Sequence, residues 1–163
     1  MPIRQLSSQD AETFRELRLE GLRVAPAAFA VATEDVAHQP LAWFGAALGL
    51  SAVFAAEDGA GRLLGMLAYQ DDPLHKRRHI GHLWGMYVRA EASGLGLGTA
   101  LMDAAIFHAR SRVAVLQLAV GAANPTAIRL YERAGFRLYG TELASLRVNG
   151  VDATTLLMAL HFD

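Results

Sequence analysis

The order of segments along the chain predicts an α/β (α+β) domain: a mixed, mainly antiparallel central sheet of six or seven strands, flanked by helices on both faces. Three observations carry that prediction. Strand-like and helix-like segments follow one another as β-α-α-β-β-β-α-β-α-β-β, an order that calls for a mixed sheet covered on both sides. Two turn signals, Asp58 to Gly61 and Val148 to Gly150, join neighbouring strands into hairpins. A nearly unbroken apolar run, Val113 to Val120, has the composition of a strand buried on both faces.

Each element has its own local reason. Ile3 to Leu6 forms a short first strand. Ser7, Ser8 and Asp10 supply N-caps for a helix over Ala11 to Val24, with Phe14, Leu17 and Leu22 on its apolar stripe, and Pro26 ends it. Ala27 to Gln39 shows no single period. After Pro40, Leu41, Trp43, Phe44, Ala47 and Leu48 recur at helical spacing. Ser51 to Glu57 and Arg62 to Gln70 pair across the first turn signal. A polar loop over Asp71 to Arg78 leads to a central strand over His79 to Val88, and a helix running to about Arg110 follows. Gly121 to Pro125 opens a further helix that stops at Ala134, with Gly135 as its C-terminal signal. Phe136 to Tyr139 and Asp152 to Leu160 frame the last hairpin.

Length and composition narrow the function classes. The 163 residues are 53% hydrophobic with formal net charge −1. One domain over residues 1–163 is expected, of a size that buries about two thirds of its unfolded surface. That charge favours neither nucleic acid nor an anionic membrane as partner. The absence of cysteine removes disulfides, thiolate metal sites and a cysteine nucleophile together. No apolar run approaches the roughly 20 residues of a membrane span, and no secretory h-region follows Met1, so a cytoplasmic location is expected.

The chemistry concentrates in the stretch from His82 to Leu101. A strand ending at Val88 meets a loop with Gly94, Gly96 and Gly98 at alternate positions, and Thr99 then opens a strongly helical segment. A strand, a glycine turn and a helix start aim backbone N–H groups outward at the positive end of a helix dipole, which suits a phosphate. A dinucleotide fingerprint fits poorly, because position six is Thr99 and the region around Ala119 is apolar. A nucleotide P-loop needs a lysine that this loop lacks. A plain chain-reversing turn remains the alternative on spacing alone.

Two blocks give the loop a family. Ser93-Gly94-Leu95-Gly96-Leu97-Gly98 resembles the acetyl-CoA signature Arg/Gln-x-x-Gly-x-Gly/Ala of the GCN5-related N-acetyltransferase (GNAT) superfamily, with Ser93 in place of Arg or Gln. A second superfamily block, Asn-x-x-Ala-x-x-Leu-Tyr-Glu-x-x-Gly-Phe, is matched by Asn124, Ala127, Leu130, Tyr131, Glu132, Gly135 and Phe136. The resemblance implies that the central strand splays from its neighbour to admit the pantetheine arm. It implies that Met86, Tyr87 and Val88 offer backbone groups to acetyl-CoA, that the amides from Ser93 to Thr99 hold its pyrophosphate, and that Asn124 is a cofactor contact. Asn124 before Pro125 is equally a good helix N-cap.

The resemblance further implies that Tyr131 is the general acid for the departing thiolate; on spacing alone it is a packing aromatic. Several superfamily members place a base, Glu, where this chain has His82, and an imidazole suits that task directly or through water. His75, His79 and His82 do not form a metal site by this reading, since residues 79 and 82 have opposite parity on a strand. Phe29, Glu34, Asp35, Trp43, Tyr69 and Trp84 are candidates for the acceptor wall. The implied activity is acetyl transfer from acetyl-CoA to a primary amine, of a small molecule or a peptide, by direct attack in a ternary complex. With no cysteine there is no acetyl-cysteine intermediate. The alternative is a non-catalytic acyl-CoA-binding or sensor module, and homodimers are a habit of the superfamily.

Overall fold

The computed structural model describes residues 1–163. The elements are β1 (Ile3–Gln5), α1 (Ala11–Val24), α2 (Thr33–Val36), α3 (Leu41–Leu50), β2 (Ala52–Glu57), β3 (Leu63–Asp71), β4 (Ile80–Val88), α4 (Leu97–Arg110), β5 (Val115–Gly121), α5 (Pro125–Arg133), β6 (Arg137–Val148) and β7 (Val151–His161). They build one seven-stranded sheet in the order β1-β2-β3-β4-β5-β7-β6. Every neighbouring pair is antiparallel except β4 and β5, which run parallel. The mixed, mainly antiparallel sheet expected from the segment order is therefore present.

Two apolar layers sandwich the sheet. On one face α1 and α3 bury Phe14, Leu17, Phe44 and Leu48 against Val53, Ala55, Met66 and Ala68. On the other, α4 and α5 bury Leu101, Met102, Ala105 and Tyr131 against Leu67, Leu83, Leu116, Leu118 and Val120. The stripe of α1 places Phe14, Leu17 and Gly21 on one side of the helix, where all three are buried. Gly21 brings α1 close to β4: a Cβ there would stand 3.0 Å from the Tyr87 ring. Tyr87 Oη donates to Glu20 at 3.0 Å, and the buried Arg89 reaches Glu16 and Glu20, each at 3.0 Å. The end of β4 and the start of the glycine loop are thus anchored to α1.

Three local expectations change. The helix after the glycine loop begins at Leu97 rather than Thr99, because Gly96 adopts a left-handed conformation (φ 77°) and serves as its N-cap. The final hairpin is longer than its apolar segments suggested: β6 continues to Val148, its register shifting between Leu138 and Gly140 and between Glu142 and Leu146. Those bulges and the outward side chains hide it from a search for alternation. The turn lies where expected, with Asn149 (φ 51°) and Gly150 (φ 78°) both left-handed. Finally, β5 is covered on one face only. Leu116, Leu118 and Val120 are buried while Ala119 is exposed, because α1 and α3 lie over β2 to β4 and not over β5.

Candidate functional site

The sheet divides between β4 and β5. Ile80, Gly81 and His82 pair with Val115, Leu116 and Gln117, and no further pairs follow. From Leu83 to Val88 the edge of β4 facing β5 has no strand partner. A bulge helps to open the gap: Met66 pairs with Tyr87 and Ala68 with Trp84, so Leu67 stands opposite both Gly85 and Met86. Gly85 takes the positive φ of 71° that the bulge needs.

A cavity of about 630 Å³ fills this gap. Leu83, Leu118 and Val120, from the α4 side of the sheet, line it together with Trp84 and Ala119 from the opposite side. It therefore passes through the sheet. One mouth lies among Ser93, Gly96, Thr99, Asn124, Thr126 and Arg133, where the starts of α4 and α5 converge. The other lies at Ala25, Ala28, Phe29 and Trp84.

The loop mouth offers donors that an anion can use. No backbone N–H from Gly94 to Thr99 donates a hydrogen bond within the protein, so a row of donors is left at the positive end of α4. Gly94 (φ 79°) and Gly96 (φ 77°) would each meet nothing within 4 Å if given a Cβ. They create the left-handed turn and leave open space above the amides. Asn124 Oδ1 caps α5 by accepting from the Ala127 N–H at 3.1 Å, which leaves its Nδ2 free to donate into the cavity. Arg133 is the one charged residue in the lining. Donors, a helix dipole and a cation around an apolar channel fit a molecule with phosphates at one end and a slender acyl-bearing arm at the other.

Tyr131 lines the cavity from α5, is 7% exposed and packs edge-on against Phe136 with ring centroids 6.2 Å apart. Its phenol makes no hydrogen bond within the protein. Burial penalises the phenolate and pushes the pKa up to about 12, so Tyr131 is a proton donor throughout the neutral range.

His82 stands at the last pair of the closed half, two residues before Trp84 and on the same face of β4. It is not part of the cavity lining. Its Nε2 lies 2.7 Å from Asp72 Oδ2, and that oxygen also accepts from Arg77 Nε at 2.8 Å. These bonds hold the buried Asp72 carboxyl well below the usual carboxylate range. The nitrogen left free on His82 is Nδ1.

The structure thus brings together Met86, Tyr87, Val88, Ser93, Gly94, Gly96, Leu97, Gly98, Thr99, Asn124 and Tyr131 around one cavity. Leu95, 59% exposed, lies outside the lining. Of the acceptor-wall candidates, Phe29 and Trp84 line the cavity. Glu34, Asp35, Trp43 and Tyr69 do not; Asp35 accepts from the Ala32 N–H and caps its own helix, and Tyr69 is buried in the core. Asp72, Thr126 and Arg133 were not legible in the sequence, since none belongs to a motif or an apolar period.

A model of the acetyltransferase (GNAT) family matches residues 12–136. The chain belongs to this family. The family consists of acyltransferases whose cosubstrate is acetyl-CoA, and the donors and channel described above fit that molecule. Among characterised relatives, a mycothiol acetyltransferase from Acidothermus cellulolyticus is 41% identical over 70 residues, 42% of this chain and 21% of that protein. An L-methionine sulfoximine/L-methionine sulfone acetyltransferase from Pseudomonas paraeruginosa is 35% identical over 110 residues, 65% of this chain and 62% of that protein. The chain therefore spans about a fifth of the first relative and under two thirds of the second. In fold it is similar to a GNAT-family acetyltransferase from Streptococcus pneumoniae, with TM-score 0.87, 22% identity and 99% of both chains covered. It is also similar to yncA of Salmonella typhimurium, solved with acetyl-CoA, with TM-score 0.82, 24% identity, and 100% of this chain and 94% of that one covered. No helix is long and apolar enough to cross a membrane.

Proposed function

We propose that this protein transfers an acetyl group from acetyl-CoA to a primary amine by direct attack in a ternary complex. One observation carries the reading: a through-sheet cavity has unpartnered amides at one mouth and a buried, protonated phenol inside it. In this reading the amides from Gly94 to Thr99, with Asn124 Nδ2, hold the pyrophosphate, and the open edge of β4 from Met86 to Val88 takes the pantetheine arm. The amine nitrogen attacks the thioester carbonyl, whose oxygen is polarised by a backbone N–H near Met86 or Tyr87. The new C–N bond forms as the C–S bond breaks, and Tyr131 gives its proton to the departing thiolate. The amine's own proton leaves toward His82 through water, since the imidazole stands below the cavity and not in its wall.

The test is thiol release from acetyl-CoA across a panel of small amines and peptide N-termini, with Tyr131→Phe alongside. The variant is expected to lower kcat by about a hundredfold or more, the scale of a positioned general acid, with acetyl-CoA affinity unchanged. An unaltered kcat would remove Tyr131 from the chemistry. His82→Ala should change the pH–rate profile, and an identical profile would reject the base role. Binding of acetyl-CoA without turnover on any amine would leave a sensor module instead.

A further inference from the structure

Beside the mouth opposite the glycine loop, next to its lining but not part of it, stands a cation without an acidic partner. Arg18 lies on α1 with its guanidinium carbon 5.1 Å from the Phe29 ring centroid and 5.2 Å from that of Trp84. Both rings line the cavity. The side chain is half-buried, yet it makes no ion pair and donates no hydrogen bond. The carboxylates nearest in sequence are engaged elsewhere: Glu16 with Arg89, and Glu20 with Arg89 and Tyr87. Burial without a compensating charge lowers the Arg18 pKa to about 10. Arg4, Arg62, Arg77, Arg89 and Arg147 have acidic partners, whereas Arg18, like Arg15 over Phe44 and Arg110 over Phe162, has only aromatic faces; Arg18 alone of these three sits against rings that line the cavity.

We propose that the amine acceptor also carries a carboxylate, and that Arg18 is the group that binds it. This rests on the acetyltransferase reading and specifies its substrate class: small amino acids in the broad sense, not polyamines or simple alkylamines. Three features support it. The aromatic rings hold the guanidinium without using its N–H edge, and that planar fork matches two carboxylate oxygens. Gly85 lets Arg18 approach the bulged backbone of β4: a Cβ there would lie 3.5 Å from Arg18 Nη1 and 3.0 Å from Met66 Cε, and the φ of 71° disfavours any side chain. The lining contains no Asp or Glu, so nothing in it answers a second positive charge on an acceptor.

The experiment compares kcat/KM for α- and ω-amino acids with that for their carboxamides, in the wild type and in Arg18→Gln, while calorimetry follows acetyl-CoA binding in both. The wild type is expected to favour the acids on the order of ten- to a hundredfold, the range of a hydrogen bond to a charged group. Arg18→Gln should collapse that ratio toward one through loss on the acids, with acetyl-CoA affinity retained. A wild type indifferent to the carboxylate, or a ratio that survives the substitution, overturns the proposal. A second measurement needs no variant: desamino carboxylic acids should inhibit the wild type competitively against the amine, and their amides should not. Equal inhibition by both, or none by the acids, overturns it too. Failure of acetyl-CoA to bind would instead remove the acetyltransferase reading itself, whereas turnover without carboxylate preference removes only the role of Arg18.

Discussion

The closed half of β4 and the loop beyond its open half use glycine in opposite ways. From Ile80 to His82 the strand is paired on both edges, and Gly81 is there for packing: a Cβ would come within 2.5 Å of the Tyr69 ring. From Leu83 onward the strand is paired on one edge; Gly85 at the bulge gives room to Met66 Cε, 3.0 Å from where a Cβ would stand, while Gly94 and Gly96 in the loop beyond keep space free. The missing side chain lets core atoms close in below His82 and lets a ligand approach above it. Stability and binding should therefore separate along one strand. Substitutions in the closed half should cost fold and spare affinity, while those at the open end should do the reverse.

The largest expected effect comes from the open end. Gly96→Glu places a carboxylate over the free amides, where it competes with phosphate for the same donors. Each charge-assisted hydrogen bond contributes about 1.5–3 kcal/mol, so losing two of them should weaken acetyl-CoA binding at least on the order of a hundredfold. The fold should lose only about 1–2 kcal/mol, from a side chain held at positive φ. Calorimetry and thermal unfolding read the two quantities separately, and a variant that binds acetyl-CoA as the wild type does would dissolve the contrast.

Gly81→Ala is the mirror experiment. Overpacking against Tyr69 should cost about 1–3 kcal/mol, or about 2–4 °C in Tm for each kcal/mol in a chain of this size. Acetyl-CoA affinity should hold, because the paired half does not touch the loop. A stable Gly81→Ala protein with impaired binding would mean that the two halves of β4 are coupled.

The open half was the more legible of the two in the sequence, for a physical reason. A loop that leaves backbone amides free at a helix start turns on left-handed positions, and Asn followed by Pro is a strong helix-start signal, so Gly94, Gly96 and Gly98 and the block from Asn124 to Phe136 could be read directly. The succession of strands and helices along the chain also followed from turn signals and apolar runs. What the chain concealed depends on long-range contact. Asp72 is an ordinary loop residue until folding sets it against His82 and Arg77, and Arg18 is one more helix arginine until Phe29 and Trp84 enclose it. Ala119 misled for a related cause: its apolar side chain faces a cavity and not a covering helix. Glu34 and Asp35 misled because acidic residues near a site invite a ligand role, whereas Asp35 caps its own helix.

The closed half also carries a pH signature. Asp72 titrates well below its ordinary value of 3.8 because His82 and Arg77 bond to the ionised form. A carboxyl whose folded pKa is depressed contributes stability that is fully present above the unfolded pKa and is lost as pH falls through the folded one. Asp72→Asn should therefore be less stable than the wild type at neutral pH, and the gap should begin to narrow below about pH 4. Urea unfolding of both proteins between pH 7 and pH 2 checks this. A gap independent of pH would show that the lost bonds, and not the charge, set the cost.

The smallest expected effect sharpens the comparison at the loop itself. Ser93 stands where the superfamily signature has Arg or Gln; it is exposed and its hydroxyl makes no hydrogen bond within the protein. If the amides from Gly94 to Thr99 supply most of the phosphate affinity, a cation added beside them acts through solvent and contributes about 0.2–1 kcal/mol, the range of an exposed ion pair. Ser93→Arg should then tighten acetyl-CoA binding by no more than about fivefold, and the gain should fade as salt rises, since exposed charges are screened over about 10 Å at 0.1 M ionic strength. A much larger, salt-insensitive gain would move the main phosphate contact from backbone to side chain. Position 93, and not the glycines, would then set how strongly the open half of the sheet holds its ligand.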